Sequence, residues 1–162
     1  MPAETITAHG ILIVDPSQHM VDIVAAMLRH IGRRDIRSAT DAAGAQFELN
    51  RRDFSVILIN DGLAGLDTVE FVRRLRHSAE CRNRLTPVVM MAARPDATRI
   101  AAARDAGVTE FLRKPFAANH LEARLAVIAR APRPIIETEG YVGPDRRRRP
   151  SVEMGTAERR TK

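Results

Sequence analysis

The chain carries few of the residues that usually announce a chemistry. One of its 162 residues is cysteine (Cys81), none is tryptophan and one is tyrosine (Tyr141). A lone thiol excludes a disulfide framework and a cysteine zinc site, and it fits a reducing cytoplasm. The five histidines, at 9, 19, 30, 77 and 120, show no metal-ligand spacing. No apolar run approaches the roughly 20 residues of a membrane span. Residues 1–10 lack the basic-then-apolar order of a secretory signal. Lysine is nearly absent too: of 26 basic residues only Lys114 and Lys162 are not arginine.

What is present is enough for one core with an extension. Apolar residues make up 44% of the chain and the net charge is +6. Residues 10–131 alternate between strand and helix patterns. Gly10–Asp15 is a short apolar run of the buried parallel kind. Ser17 caps a helix with Met20, Ile23, Val24, Met27, Leu28 and Ile31 at helical spacing, and Gly32 stops it. A weaker strand covers 34–39, and a helix capped by Thr40 or Asp41 runs to Asn50. Phe54–Asn60 is the strongest strand. Leu66–His77 reads as helix, Pro87–Ala92 as strand, Asp96 to Gly107 as helix, Thr109–Arg113 as strand and 117–131 as helix.

Five such pairs predict an α/β fold, a doubly wound (βα)5 parallel sheet. Right-handed crossovers bring the strands' carboxyl ends to one edge, where ligands bind. Asp15, Asn60, Ala92 and Lys114-Pro115 meet there. The predicted organisation is an arm over 1–9, a domain over 10–131, and a flexible tail over 132–162, begun by Pro132 and Pro134 and disordered when free.

Ile-Leu-Ile-Val-Asp15, the block Ile-Leu-Ile-Asn60-Asp-Gly-Leu-Ala-Gly-Leu-Asp67, Pro-Val-Val-Met-Met-Ala92 and Lys114-Pro115-Phe116 resemble the CheY-like receiver family of bacterial response regulators. The resemblance implies a flavodoxin-like sheet and a site for phosphorylation. That site uses a carboxylate nucleophile after the third strand, two acids after the first strand for Mg²⁺, a hydroxyl after the fourth and a Lys after the fifth. Here the acceptor position is Asn60, which has no anionic oxygen to attack phosphorus. The acidic pair is Asp15 followed by Pro16, the hydroxyl position is Ala92, and the aromatic switch position is Phe111. Lys114 remains, and a residual Asp15–Lys114 ion pair is expected. Asp61 is one position off, and strand geometry turns it to the other face. These departures predict a degenerate pseudo-receiver, not an enzyme, with no Mg²⁺ and no acyl-phosphate.

In the tail, Tyr141 stands five residues before four consecutive arginines, with Gly143-Pro144-Asp145 between. Gly and Pro favour a turn that folds the ring back towards the guanidinium groups. A phenol and arginine planes can sandwich a base, and Arg pairs with guanine edges and phosphates. The tail is similar to the arginine-rich extension of the Cle group of CheY-like effectors, which implies cyclic di-GMP as ligand. By that resemblance Tyr141, Gly143, Pro144, Asp145, Arg146, Arg147, Arg148 and Arg149 bind it. Deleting 139–162 is expected to abolish binding and leave the fold intact.

The resemblance further implies a signalling adaptor that docks on the flagellar motor switch. The docking face is the fourth helix, fifth strand and last helix, with Arg94, Arg99, Arg104, Arg113 and Arg124. It implies no specific DNA, no membrane insertion, and a cytoplasmic protein recruited to the flagellated pole. Two alternatives stand beside this reading: a constitutive docking scaffold without a nucleotide, and a phosphorylation-driven receiver.

Overall fold

The computed structural model describes residues 9–147. Five parallel strands form one sheet in the order β2-β1-β3-β4-β5. They are β1 (Gly10–Val14), β2 (Ile36–Ala39), β3 (Phe54–Asn60), β4 (Val88–Ala92) and β5 (Glu110–Arg113). The connecting helices are α1 (Gln18–His30), α2 (Ala42–Arg51), α3 (Thr68–His77), α4 (Ala97–Ala106) and α5 (Ala118–Arg130). The predicted α/β fold is therefore observed. None of these helices is long and apolar enough to cross a membrane.

Alternation along the central strands sorts two cores. Leu12, Val14, Ile57, Ile59, Val88 and Met90 face one side, packed with Leu49, Phe71, Val72 and Leu75. Ile11, Ile13, Val56, Leu58, Val89 and Met91 face the other, packed with Val21, Val24, Leu28, Leu121, Leu125 and Ile128. Both faces are covered, so each strand reads as a continuous apolar run. Burying each such side chain contributes about 1.5–3 kcal/mol, so the central strands hold the sheet edge in place.

Caps set the helix starts. Ser17 accepts from the Met20 amide, Asp41 from Gly44 and Asp96 from Arg99. Asp67 accepts from Glu70, so α3 opens at Thr68 instead of Leu66. On α1 the buried stripe is Val21, Val24, Ala25 and Leu28, while Met20 and Ile23 are only half-buried.

The expectation of a disordered tail from residue 132 is corrected over the described residues. Ile135–Thr138 (β6) and Tyr141–Pro144 (β7) form an antiparallel hairpin, and all four β7 residues are buried. The turn is Glu139–Gly140, earlier than the one expected at Gly143-Pro144-Asp145, which here belongs to a strand and its exit. Apolar pairs on both sides of Gly140 drive the pairing, and the Asp145 amide closes it by donating to Pro134 O at 2.8 Å.

This hairpin docks on the carboxyl ends of α3 and α4. Helices run antiparallel to the strands, so it lies at the amino edge of the sheet, opposite the predicted ligand edge. Its seat is Arg76, which is wholly buried. Arg76 Nε and Nη2 donate to Gly107 O at 3.1 and 2.9 Å, and Nη1 donates to Arg84 O and Thr86 O at 2.8 and 2.7 Å. Gly107 caps α4 at φ +112° and is covered by Arg76 and Val142 O. A Cβ on Gly143 would lie 2.9 Å from Gly107 Cα, so the two backbones meet where only glycine fits.

Tyr141 closes the knot. Its hydroxyl donates to Pro144 O at 2.6 Å, and Arg146 covers the ring at 4.4 Å from its centroid. Ion pairs lace the hairpin down: Arg84–Glu137, Arg133–Glu110 and Arg146–Asp105. The unit therefore extends beyond 131, and the expected clean removal of 139–162 is corrected as well: that cut strips the cover from Arg76.

Candidate functional site

At the carboxyl edge of the sheet, β1, β3 and β5 deliver Asp15, Asn60 and Lys114 to one point. Asp15 is 1% exposed. Its carboxylate accepts from the Ser17 amide at 2.9 Å and from Lys114 Nζ at 3.1 Å, so the expected ion pair forms. Lys114 Nζ also donates to Asn60 Oδ1 at 2.6 Å. The other end of that amide donates to Gly62 O at 3.0 Å. Asn60 is thus held by both ends, its oxygen on the cation and its nitrogen on the loop. Ala92 is buried at the end of β4 and its side chain contributes no polar atom. Phe111 on β5 lies under Arg104, 5.8 Å from ring centroid to guanidinium.

Asp61 turns away from this point. Arg99, in the first turn of α4, donates to its Oδ1 from Nε at 3.0 Å and from Nη2 at 2.5 Å. The same Nη2 donates to Asp67 Oδ1 at 2.8 Å. The Arg99 hydrogen bond holds the Asp67 carboxyl below the usual carboxylate range, against partial burial. Donating to Asp61 and then to Asp67 pushes the Arg99 guanidinium higher still.

Thr68 ties the loop that carries Asp61. Its hydroxyl donates to Asn60 O at 2.8 Å and accepts from Gly62 N at 2.9 Å. The sequence reading missed Thr68 and Arg76, and it placed Arg99 on the docking face without its bonds to Asp61 and Asp67. Thr68 follows the cap Asp67 directly, and Arg76 falls on the Val69–Val72 stripe of α3, which is the signal that could have found them.

The response regulator receiver domain model matches residues 11–126. This chain belongs to the response regulator receiver family.

Chemotaxis protein CheY-3 of Vibrio cholerae is 30% identical over 115 residues, which cover 71% of this receiver and 87% of that protein. The KDP operon transcriptional regulatory protein KdpE of Escherichia coli is 32% identical over 134 residues, covering 79% of this receiver and 57% of KdpE. Among solved structures, CheY4 of Vibrio cholerae superposes with a TM-score of 0.67 at 24% identity, over 73% of this receiver and 96% of CheY4. That likeness speaks for the fold. The receiver domain of the sensor histidine kinase PA1611 of Pseudomonas aeruginosa has a TM-score of 0.66 at 25% identity, over 75% and 97% of the two chains, and holds a magnesium ion in its active-site cleft.

The donor set of this receiver does not fit such an ion. A hard divalent cation asks for several oxygens, carboxylates foremost. Asp15 is the one carboxylate at the point, and an ammonium group is already bonded to it. Pro16 supplies no side-chain oxygen, and the Asn60 carbonyl is turned to Lys114. No group of three or more His, Cys, Asp or Glu able to hold a metal occurs among the described residues.

The family match ends at 126, so the hairpin is an addition to the receiver. Of the residues assigned there by resemblance, Tyr141, Gly143, Pro144, Asp145, Arg146 and Arg147 are described, while Arg148 and Arg149 lie outside the described residues. Tyr141 is not an open stacking platform: it is 7% exposed, and one ring face is taken by Arg146. Gly143 and Pro144 are buried in β7. Asp145 serves the local backbone, accepting from the Arg147 amide at 2.9 Å.

Proposed function

We propose that this receiver has given up the aspartyl-phosphate switch and acts as a signalling adaptor that docks a protein partner, with cyclic di-GMP at its arginine run as input. The observation that carries the first half is the 2.6 Å bond from Lys114 Nζ to the amide oxygen of Asn60. The cation that would draw a phosphoryl group towards an acceptor rests instead on a neutral oxygen, which is no nucleophile. The neighbouring carboxylate, Asp61, is engaged by Arg99. With Mg²⁺ and a small phosphodonor such as acetyl phosphate, the intact mass should stay unchanged. A gain of one phosphoryl group, mapped to Asp61, overturns the reading.

The second half rests on the arginine run and on the resemblance it carries. Arg146 and Arg147 leave the hairpin beside a phenol, and Arg148 and Arg149 follow in sequence. Guanidinium forks suit both guanine edges and phosphodiester oxygens. With the Tyr141 ring covered, the base stacks on guanidinium planes, and Tyr141, Gly143 and Pro144 serve as the mount. Calorimetric titration of the full chain with cyclic di-GMP, against GTP and cyclic di-AMP, tests it. Binding should prefer guanine and survive moderate salt, because edge readout persists when long-range attraction is screened. Equal, salt-labile binding of any polyanion overturns it.

One observation favours a second reading, a docking scaffold without nucleotide: Arg146 is already occupied by Asp105 and the Tyr141 ring. The name of CheY-3 as a chemotaxis protein supports a motility partner, such as the flagellar motor switch, on the face of α4, β5 and α5.

A further inference from the structure

We propose that Asp105 is a built-in competitor for the ligand: it holds Arg146 in the place of a phosphodiester oxygen and thereby sets the affinity of the arginine run. The inference rests on the cyclic di-GMP reading and adds a residue that the reading does not contain. Asp105 lies in the last turn of α4, outside the arginine-rich segment, and is 61% exposed. Its Oδ1 accepts from Arg146 Nη1 at 2.5 Å. That bond holds the guanidinium over the Tyr141 ring, whose own hydroxyl is tied to Pro144 O. Geometrically, a carboxylate on one edge of a guanidinium is what a phosphodiester would be, one anionic oxygen accepting in the plane of the fork.

The other anchors of the hairpin make the exchange local. Arg84–Glu137 and Arg133–Glu110 hold β6 and the strand entry, and Gly107 packs on Gly143. Arg146 can therefore change partner while β7 stays seated. The side chains of Arg146 and Asp105 are 49% and 61% exposed, so the pair is weak and readily exchanged. The release is felt on α4. Arg104, next to Asp105, lies over Phe111 of β5, on the face that docks the partner.

The experiment is titration of the full chain and of Asp105→Asn with cyclic di-GMP, read by calorimetry and by intrinsic fluorescence. Tyr141 is the single tyrosine and no tryptophan is present, so the emission reports the hairpin alone. Asp105→Asn should bind roughly three- to fivefold tighter, as expected for removal of an exposed competing pair. Tyrosine emission should change on binding in the wild type and already differ in the unliganded variant. Asp22→Asn on α1 adds the same charge away from the hairpin and should leave affinity within experimental scatter. Equal or weaker binding by Asp105→Asn, or equal tightening by Asp22→Asn, overturns the inference while the cyclic di-GMP reading stands. Absence of binding by both wild type and Asp105→Asn overturns the reading and the inference together.

Discussion

Each end of the sheet holds a cation, and the two are neutralised differently. At the carboxyl edge, Lys114 is 18% exposed and sits between the Asp15 carboxylate and the Asn60 amide. At the amino edge, Arg76 has no exposure and no carboxylate, and four bonds to three carbonyl oxygens spread its charge over two other segments. A carboxylate partner leaves an electrostatic pair in which either member can be recruited elsewhere. Carbonyl partners belong to the backbone, so the cation becomes a rivet between α3, the loop before β4 and the end of α4. Burial lowers the Arg76 guanidinium to about 10, the mark of a charge held by dipoles rather than by a counterion.

The largest expected effect tests the rivet. Arg76→Ala leaves Gly107 O, Arg84 O and Thr86 O without their guanidinium donors beside a cavity, and should cost about 3–5 kcal/mol in urea unfolding. A variant as stable as wild type would show that the hairpin end does not depend on it. Gly143→Ala drives a methyl group into Tyr141 and Gly107, and should cost about 2–3 kcal/mol. At the other edge, Lys114→Met leaves the buried Asp15 carboxylate with the Ser17 amide alone. Because Lys114 is partly solvated, about 2 kcal/mol is expected. If that loss exceeds the one from Arg76→Ala, the contrast between the two ends is reversed.

A pH measurement sharpens the same contrast. Burial raises the Tyr141 phenol above 10.0, with Arg146, Arg76 and Arg133 opposing it. A group whose folded value is raised contributes stability below its unfolded value, and that contribution is lost as pH rises through the folded value. Tyrosinate absorbance should therefore titrate above pH 10 in the folded chain and return to about 10 in urea. The smallest effect belongs to Arg99→Ala, no more than about 1 kcal/mol for partly exposed pairs. The folded Asp67 value is depressed, so this contribution is present above the unfolded carboxyl value and fades as pH falls through the folded one. Stability curves of wild type and variant should converge in acid.

The carboxyl edge was legible because strand ends in a parallel sheet have fixed positions: once β1, β3 and β5 were located, Asp15, Asn60 and Lys114 had to meet. The hairpin was not. Ile135–Thr138 is mostly exposed, and Tyr141-Val-Gly-Pro reads as a loop because its burial comes from Gly107 and Arg76, distant in sequence. Arg76 itself hid in the run Arg73-Arg-Leu-Arg-His, where spacing from Val69 and Val72 was the only sign of its face. Arg99 was seen as a member of a basic surface, since nothing local shows that two carboxylates of the β3–α3 loop reach it.

One helix has a contact at each end of the sheet. α4 is clipped at its first turn to Asp61 and Asp67 by Arg99, and at its last turn to the hairpin by Asp105 and Gly107. Ten residues of α-helix measure about 15 Å, a stiff rod with no joint in it. The same rod therefore carries one clasp on the loop beside Asn60 and another at the arginine exit, and the two lie one helix length apart.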